Sequence, residues 1–186
     1  MDMRFAYKKS LTKSEIEAIE HAFSVKLSGD LLEYLKKYGW RKIVRGVSLK
    51  EDPSFIKEEL DDSILSILEF DVVNNESYWP VVFGEKPSDP EKRVSVAKEY
   101  VRSLPSLVPI KGFKYLVPTK ISPESSVVPV ISFQQFVDTI IYYDSIADFM
   151  EDRPTTKRYY SDRPTVQGWI DVIDGLGAED DAIYTS

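Results

Sequence analysis

SFQQFVDTIIYYDSIADFM, residues 132–150, is the stretch on which the fold turns. Its aromatic and β-branched residues predict a buried strand over 136–143, and Asp144 is placed to cap a short helix running to Met150. Polar groups interrupt the run: Gln134, Gln135 and Asp138, followed by the adjacent tyrosines Tyr142 and Tyr143. Strand alternation puts Phe136, Asp138, Ile140 and Tyr142 on one side, and Val137, Thr139, Ile141 and Tyr143 on the other. A carboxylate among such rings more often accepts hydrogen bonds from backbone or hydroxyl groups than it abstracts protons. The stretch therefore reads as architecture, an internal strand with Ile140 in the core.

Working upstream, SVVPVISF (126–133), FKYLVP (113–118) and SLVPI (106–110) are further short strand candidates. Close spacing, with Pro and Gly between them, favours an antiparallel meander over alternating β-α-β units. Asp89-Pro90 starts a helix carrying Val94, Ala97, Val101 and Leu104, which Pro105 stops. Asp52-Pro53 starts another, charged, to about Asp62, after which SILSILEFDVV (63–73) reads as a strand. Near the start, Ser14 and Glu17 form a capping-box pattern ahead of Ile16, Ile19 and Phe23. A second helix is expected from Ser28 to Tyr38, with Leu31, Leu35 and Tyr38 as its stripe and Gly39 as its cap. EDRPTTKRYYSDRP (151–164) reads as a linker, and Val166, Trp169, Ile170 and Ile173 as one face of a last helix ending at Gly175. The expected class is α+β: an N-terminal helical pair packed on an antiparallel β-meander sheet, with additional helices and a C-terminal helical extension. The division is a domain over 1–152, then a linker, helix and acidic tail over 153–186.

Composition narrows the function. With 42% hydrophobic and 12% aromatic residues, the 186-residue chain has enough apolar mass for a packed core. No apolar stretch approaches the ~20 residues that cross a bilayer, and the N-terminus lacks the apolar core of a secretion signal. The absence of cysteine excludes disulfides, thiolate nucleophiles and cysteine metal ligands. A cytoplasmic protein is the expectation. Of the net charge of -7, five acids (Asp171, Asp174, Glu179, Asp180 and Asp181) follow the last basic residue, Arg163, so the body is nearly balanced. Short basic clusters such as Lys36/Lys37 and Arg41/Lys42 read as solvated surface, and no basic stripe for nucleic acid is visible.

The sequence carries few signals of catalytic chemistry. His21 is the only histidine and points away from the apolar face of its helix, which leaves no Ser-His-Asp triad. A phosphate-cradling loop is missing, and GLGAED (175–180) fails the dinucleotide pattern. The pairs Asp61/Asp62 and Asp180/Asp181 read as solvated charge. Neither catalytic residue, cofactor nor metal ligand is expected. Tyr78 and Trp79, in the proline-rich loop ESYWPVVFGEKPSDP (76–90), are candidate partner anchors, although Trp79 suits a plug between helices and sheet better than an anchor. Tyr142, Tyr143, Asp171 and Asp174 complete the candidate partner-binding set.

A resemblance adds to this reading. IEAIEHAFSVKLSGDLLEYLKKYG (16–39) resembles the opening helical pair of the SUKH superfamily, through Ile16, Ile19, Glu20, Leu27, Leu31, Leu35, Tyr38 and Gly39. Ser28 stands where that family usually has proline, and Trp40 follows the glycine. YWPVVFGEKPSDP, LPSLVPIKGFKYLVP and PVISFQQFVDTIIYYDSIADFMED resemble a bacterial branch in the same order, so the likeness spans 14–152. It implies an α+β fold without catalysis: a binding protein, such as an immunity protein neutralising a bacterial toxin, with a toxin effector as protein partner and neither nucleic acid nor membrane. A regulatory protein-interaction scaffold is the alternative, and a carboxylate-dependent hydrolase using Asp138 with another acid is a third.

Overall fold

The computed structural model describes residues 11–27, 29–38, 52–117, 129–155 and 168–173. Its first helix, α1 (Lys13–Phe23), is capped two residues earlier than the sequence pattern implies, by Thr12 and not Ser14. The Thr12 hydroxyl accepts the Glu15 N–H, while the Glu15 carboxylate takes the Thr12 N–H at 2.7 Å. Two of the N–H groups that a helix start leaves unpaired are thereby satisfied. Ile16, Ile19 and Phe23 are buried, as expected, against α3. The second helix, α2 (Gly29–Tyr38), buries Leu31 and Leu35 and lies against α5, near the end of the sheet.

The largest departure from the sequence reading is α3 (Pro53–Asn74), a single 22-residue helix. The segment 63–73, expected as a strand, is its second half. Ile56, Leu60, Ile64, Leu68 and Val72 recur every four residues and are all buried, so one continuous stripe faces the core. Asp52 caps the start through the Ser54 N–H at 2.8 Å, with Pro53 in the first turn, where its missing N–H costs nothing. The β-branched residues that favoured a strand are outweighed because the stripe continues unbroken from Ile56 and Leu60 through Val72, a run longer than an ordinary strand and started by a helix cap.

After a 3-10 turn (Val81–Phe83), α4 (Pro90–Arg102) packs along α3 with Ala97 and Val101 buried. The sheet follows: β1 (Val108–Lys111), β2 (Lys114–Leu116), β3 (Val130–Ser132) and β4 (Ile140–Tyr143), all antiparallel in that order. The chain is therefore α+β with a meander sheet, as its sequence predicts. Pro109 is tolerated because β1 is an edge strand and a register shift falls beside it.

The opening stretch is only half a strand. Residues 133–139 form a tight turn, and pairing starts at Ile140. The register of β4 shifts so that Tyr143 pairs with Val130 while Ile141 pairs with Ile131, leaving Tyr142 as the extra residue. Ile141 and Tyr143 are buried, whereas Ile140, expected in the core, is 47% exposed. Ile140→Asp is accordingly expected to change stability by less than about 0.5 kcal/mol, as for other surface substitutions. Urea denaturation measures this; a loss of several kcal/mol would return Ile140 to the core. Ser145, not Asp144, caps α5 (Ile146–Met150), its hydroxyl accepting the Asp148 N–H.

The last described helix, α6 (Trp169–Ile173), belongs to the same core, although the sequence assigns it to an extension beyond 152. Trp169 stacks on Phe136 with ring centroids 6.4 Å apart, and its Nε1 donates to the Pro105 carbonyl at 2.8 Å. Gly168 makes the approach possible. Its φ of 99° is left-handed, and a Cβ there would lie 2.7 Å from Leu104 Cδ2. The expected caps Gly39 and Gly175, most of the linker, the Arg41/Lys42 cluster and the first residues of the third strand candidate lie outside the described residues.

Candidate functional site

The turn after β3 brings three polar side chains to one place. Gln134 and Asp138 are exposed and Gln135 half-buried. Two acceptors hold the turn in shape. The Gln135 carbonyl takes the Asp138 N–H at 3.3 Å and the Thr139 hydroxyl. From α3, Asp71 Oδ2 takes the Phe136 N–H at 2.7 Å, and the Val137 N–H also bonds to this carboxylate. Asp71 is only 2% exposed. Burial pushes its carboxyl above the ordinary carboxylate range, the two N–H groups oppose that shift, and the nearby Asp138 charge adds to it.

Opposite the turn stands the β1–β2 hairpin. Gly112, with φ at 57°, supplies the left-handed residue its two-residue loop needs, and this puts Phe113 at the tip with 54% of its surface exposed. The Phe113 carbonyl accepts the Phe133 N–H at 2.9 Å, tying hairpin to turn. Between hairpin, turn and α3 lies a groove of about 410 Å³. Leu60, Ser63, Ile64 and Ile67 form its α3 wall, Phe113, Tyr115 and Phe133 its aromatic wall, and Gln134, Gln135 and Asp138 its polar rim. Among the described residues, the three rim side chains have no hydrogen-bonding partner. Two carboxamides that both donate and accept, one carboxylate that accepts, and apolar rings beside them suit a peptide-like ligand.

The residues singled out from sequence are scattered. Tyr78, a candidate surface anchor, is 1% exposed, with its phenol donating to the Val172 carbonyl at 3.0 Å. Burial first, and then the Asp71 charge, push that phenol well above its ordinary value. Its ring instead joins Phe83 and Phe136 in the core, because a tyrosine buries its ring readily once its hydroxyl finds a partner. Trp79 is half-buried against Phe83, and its Nε1 donates to the Gly84 carbonyl at 2.8 Å, as suits the plug between elements. Tyr143 is likewise buried, donating to Asp152 Oδ1 at 2.6 Å, and neither Tyr78 nor Tyr143 offers a ring to a partner.

Tyr142 keeps part of its ring accessible, with Lys114 Nζ 3.5 Å from the ring centroid, a cation–π contact. Burial pulls that ammonium below its ordinary value, and Lys111 adds to the shift while Asp152 opposes it. The Asp171 carboxylate accepts the Gly168 N–H at 3.0 Å and so holds the start of α6. Asp174 lies outside the described residues, as do Glu179, Asp180 and Asp181. His21 is exposed at the end of α1. Asp61 is paired with Lys57 at 2.6 Å and accepts the Ser106 hydroxyl.

Sequence reasoning found the rim residues Gln134, Gln135 and Asp138 but missed Asp71 and Phe113. The signal for Asp71 was an acid three residues after Leu68 on a four-residue apolar stripe. Phe113 was legible as the residue after a hairpin glycine. The Asp138 charge acts on Asp71, yet Asp71 is committed to backbone N–H groups and does not line the groove. Among the described residues no group of acidic and histidine side chains is arranged to hold a metal ion, and no helix is long and apolar enough to cross a membrane.

No family model matches the chain, and neither a curated protein nor a solved structure matches it.

Proposed function

We propose that this chain is a non-catalytic binding protein, and that it acts in the cytoplasm as an immunity protein neutralising a bacterial toxin. The observation that carries the binding role is the groove beside α3, whose unpartnered carboxamides and carboxylate stand next to the exposed Phe113 ring. Protein interfaces anchor on aromatic rings set beside polar groups of this kind. The likeness of 14–152 to SUKH proteins supports the choice of a toxin as partner. Tyr78 and Tyr143 have no part in the proposed contact, and Trp79 supports the loop from within.

The test is co-expression with the toxins encoded beside its gene. A toxin that co-purifies with the chain, and from which the chain protects cells, is the expected result. Neither binding nor protection for any of those toxins would overturn the reading. The chain carries a net charge of -7, so association with a basic partner should slow as salt rises, because exposed charges are screened within roughly 8 Å at physiological ionic strength. Stopped-flow association rates between low and physiological salt check this, and a rate indifferent to salt would remove electrostatic steering from the account.

A further inference from the structure

Among the described residues, the groove has one sign of charge. Asp138 is, among the described residues, the only carboxylate on its lining, and it makes no ion pair there. No lysine or arginine among the described residues lines the groove. Behind the rim, the Asp71 carboxylate feels the Asp138 charge, which puts a second acid within electrostatic reach of the same space. Beside the carboxylate stand aromatic rings, with Phe113 more than half exposed at the mouth and Phe133 inside. The two glutamine side chains add carbonyl oxygens that can accept hydrogen bonds.

We propose that the groove receives an arginine side chain of a partner protein. A guanidinium is planar and weakly hydrated, and it carries five N–H donors in a fixed fork. One edge of that fork matches a carboxylate in a two-bond arrangement at Asp138, and the remaining donors face the carbonyl oxygens of Gln134 and Gln135. The flat face of the ion stacks on Phe113, where the ring quadrupole attracts a cation. The aliphatic stem lies along the apolar α3 wall, and about 410 Å³ is ample for one such side chain with adjoining backbone. The net charge of -7 favours the approach of a basic segment over an acidic one. This inference rests on the binding role proposed above and names the chemistry of the partner at that site.

The experiment uses the full chain, isotopically labelled, titrated with an acetylated and amidated Gly-Arg-Gly peptide. The comparison peptide carries citrulline, which keeps the shape and loses the charge. The arginine peptide is expected to shift the backbone amide signals of Phe113, Gln134, Gln135 and Asp138, and to bind about tenfold or more tightly than the citrulline peptide. Asp138→Asn, whose side chain is exposed and leaves the fold intact, should weaken arginine binding by about tenfold, and Phe113→Ser should weaken it less. Trp79→Ala should leave it unchanged. Equal binding of the citrulline peptide, signals moving elsewhere, indifference to Asp138→Asn, or no binding at millimolar peptide would each overturn the proposal. A toxin bound equally well by Asp138→Asn would overturn the arginine contact and leave the binding role standing. Arginine-peptide binding at this groove by a chain that protects against no toxin would do the reverse.

Discussion

Trp169→Ala is expected to destabilise the protein by about 3–5 kcal/mol, the cost of emptying a large aromatic site in a packed core. Trp169 is 3% exposed, stacks on Phe136, meets Phe133 edge-on and ties its indole N–H to Pro105. Alanine there removes the ring and leaves the Pro105 carbonyl without this donor. A chain ending at residue 167 should lose at least as much, since it also removes the Val172 carbonyl that accepts the buried Tyr78 hydroxyl. Urea or thermal denaturation followed by two probes is the measurement. A truncated chain that melts cooperatively with stability within about 0.5 kcal/mol of the full chain would show that α6 is an appendage, as its position in the sequence implies.

Asp71 gives the second large effect, and a pH signature with it. Asp71→Ala leaves the Phe136 N–H buried with no acceptor, which costs about 1–3 kcal/mol. Asp71→Asn keeps an oxygen for that N–H and should cost much less. The two changes separate hydrogen bonding from charge. Because burial raises the Asp71 carboxyl above its ordinary value, the folded protein holds this proton more tightly than the unfolded chain does. The resulting stabilisation is fully present below the ordinary carboxyl range and is lost as pH rises through the elevated folded value. Wild type should therefore lose ground to Asp71→Asn as pH rises across that window, other carboxylates affecting both proteins alike. Parallel stability profiles for the two proteins would show that Asp71 titrates as it does in the unfolded chain.

Local signals served well where the chain obeys them locally. Asp52-Pro53 and Asp89-Pro90 start helices because a side-chain acceptor and a fixed φ act within one turn, whatever the rest of the fold does. The meander was legible from short apolar runs separated by turn residues. Residues 63–73 were misread because Ile, Leu, Phe and Val at that density satisfy both a strand and a buried helix. The choice depended on Leu60 and Ile56, one and two turns before Ile64, with which the stripe is continuous.

The candidate site divides in the same way. The sequence by itself determined that Gln134, Gln135 and Asp138 interrupt an apolar run, that a glycine turn precedes Phe113, and that net charge is -7. Tertiary structure alone decided that the hairpin tip, the turn after β3 and the middle of α3 enclose one groove, since these elements come from distant parts of the chain. It also decided that Tyr78 and Tyr143 are core residues. Their hydroxyls find Val172 and Asp152, partners 94 and 9 residues away, and no composition or spacing rule anticipates such pairings. The one-residue register shift at Tyr142 is of the same kind. It sets which side chains of β4 face inward, and it arises from pairing with β3, not from the preferences of the tyrosines themselves.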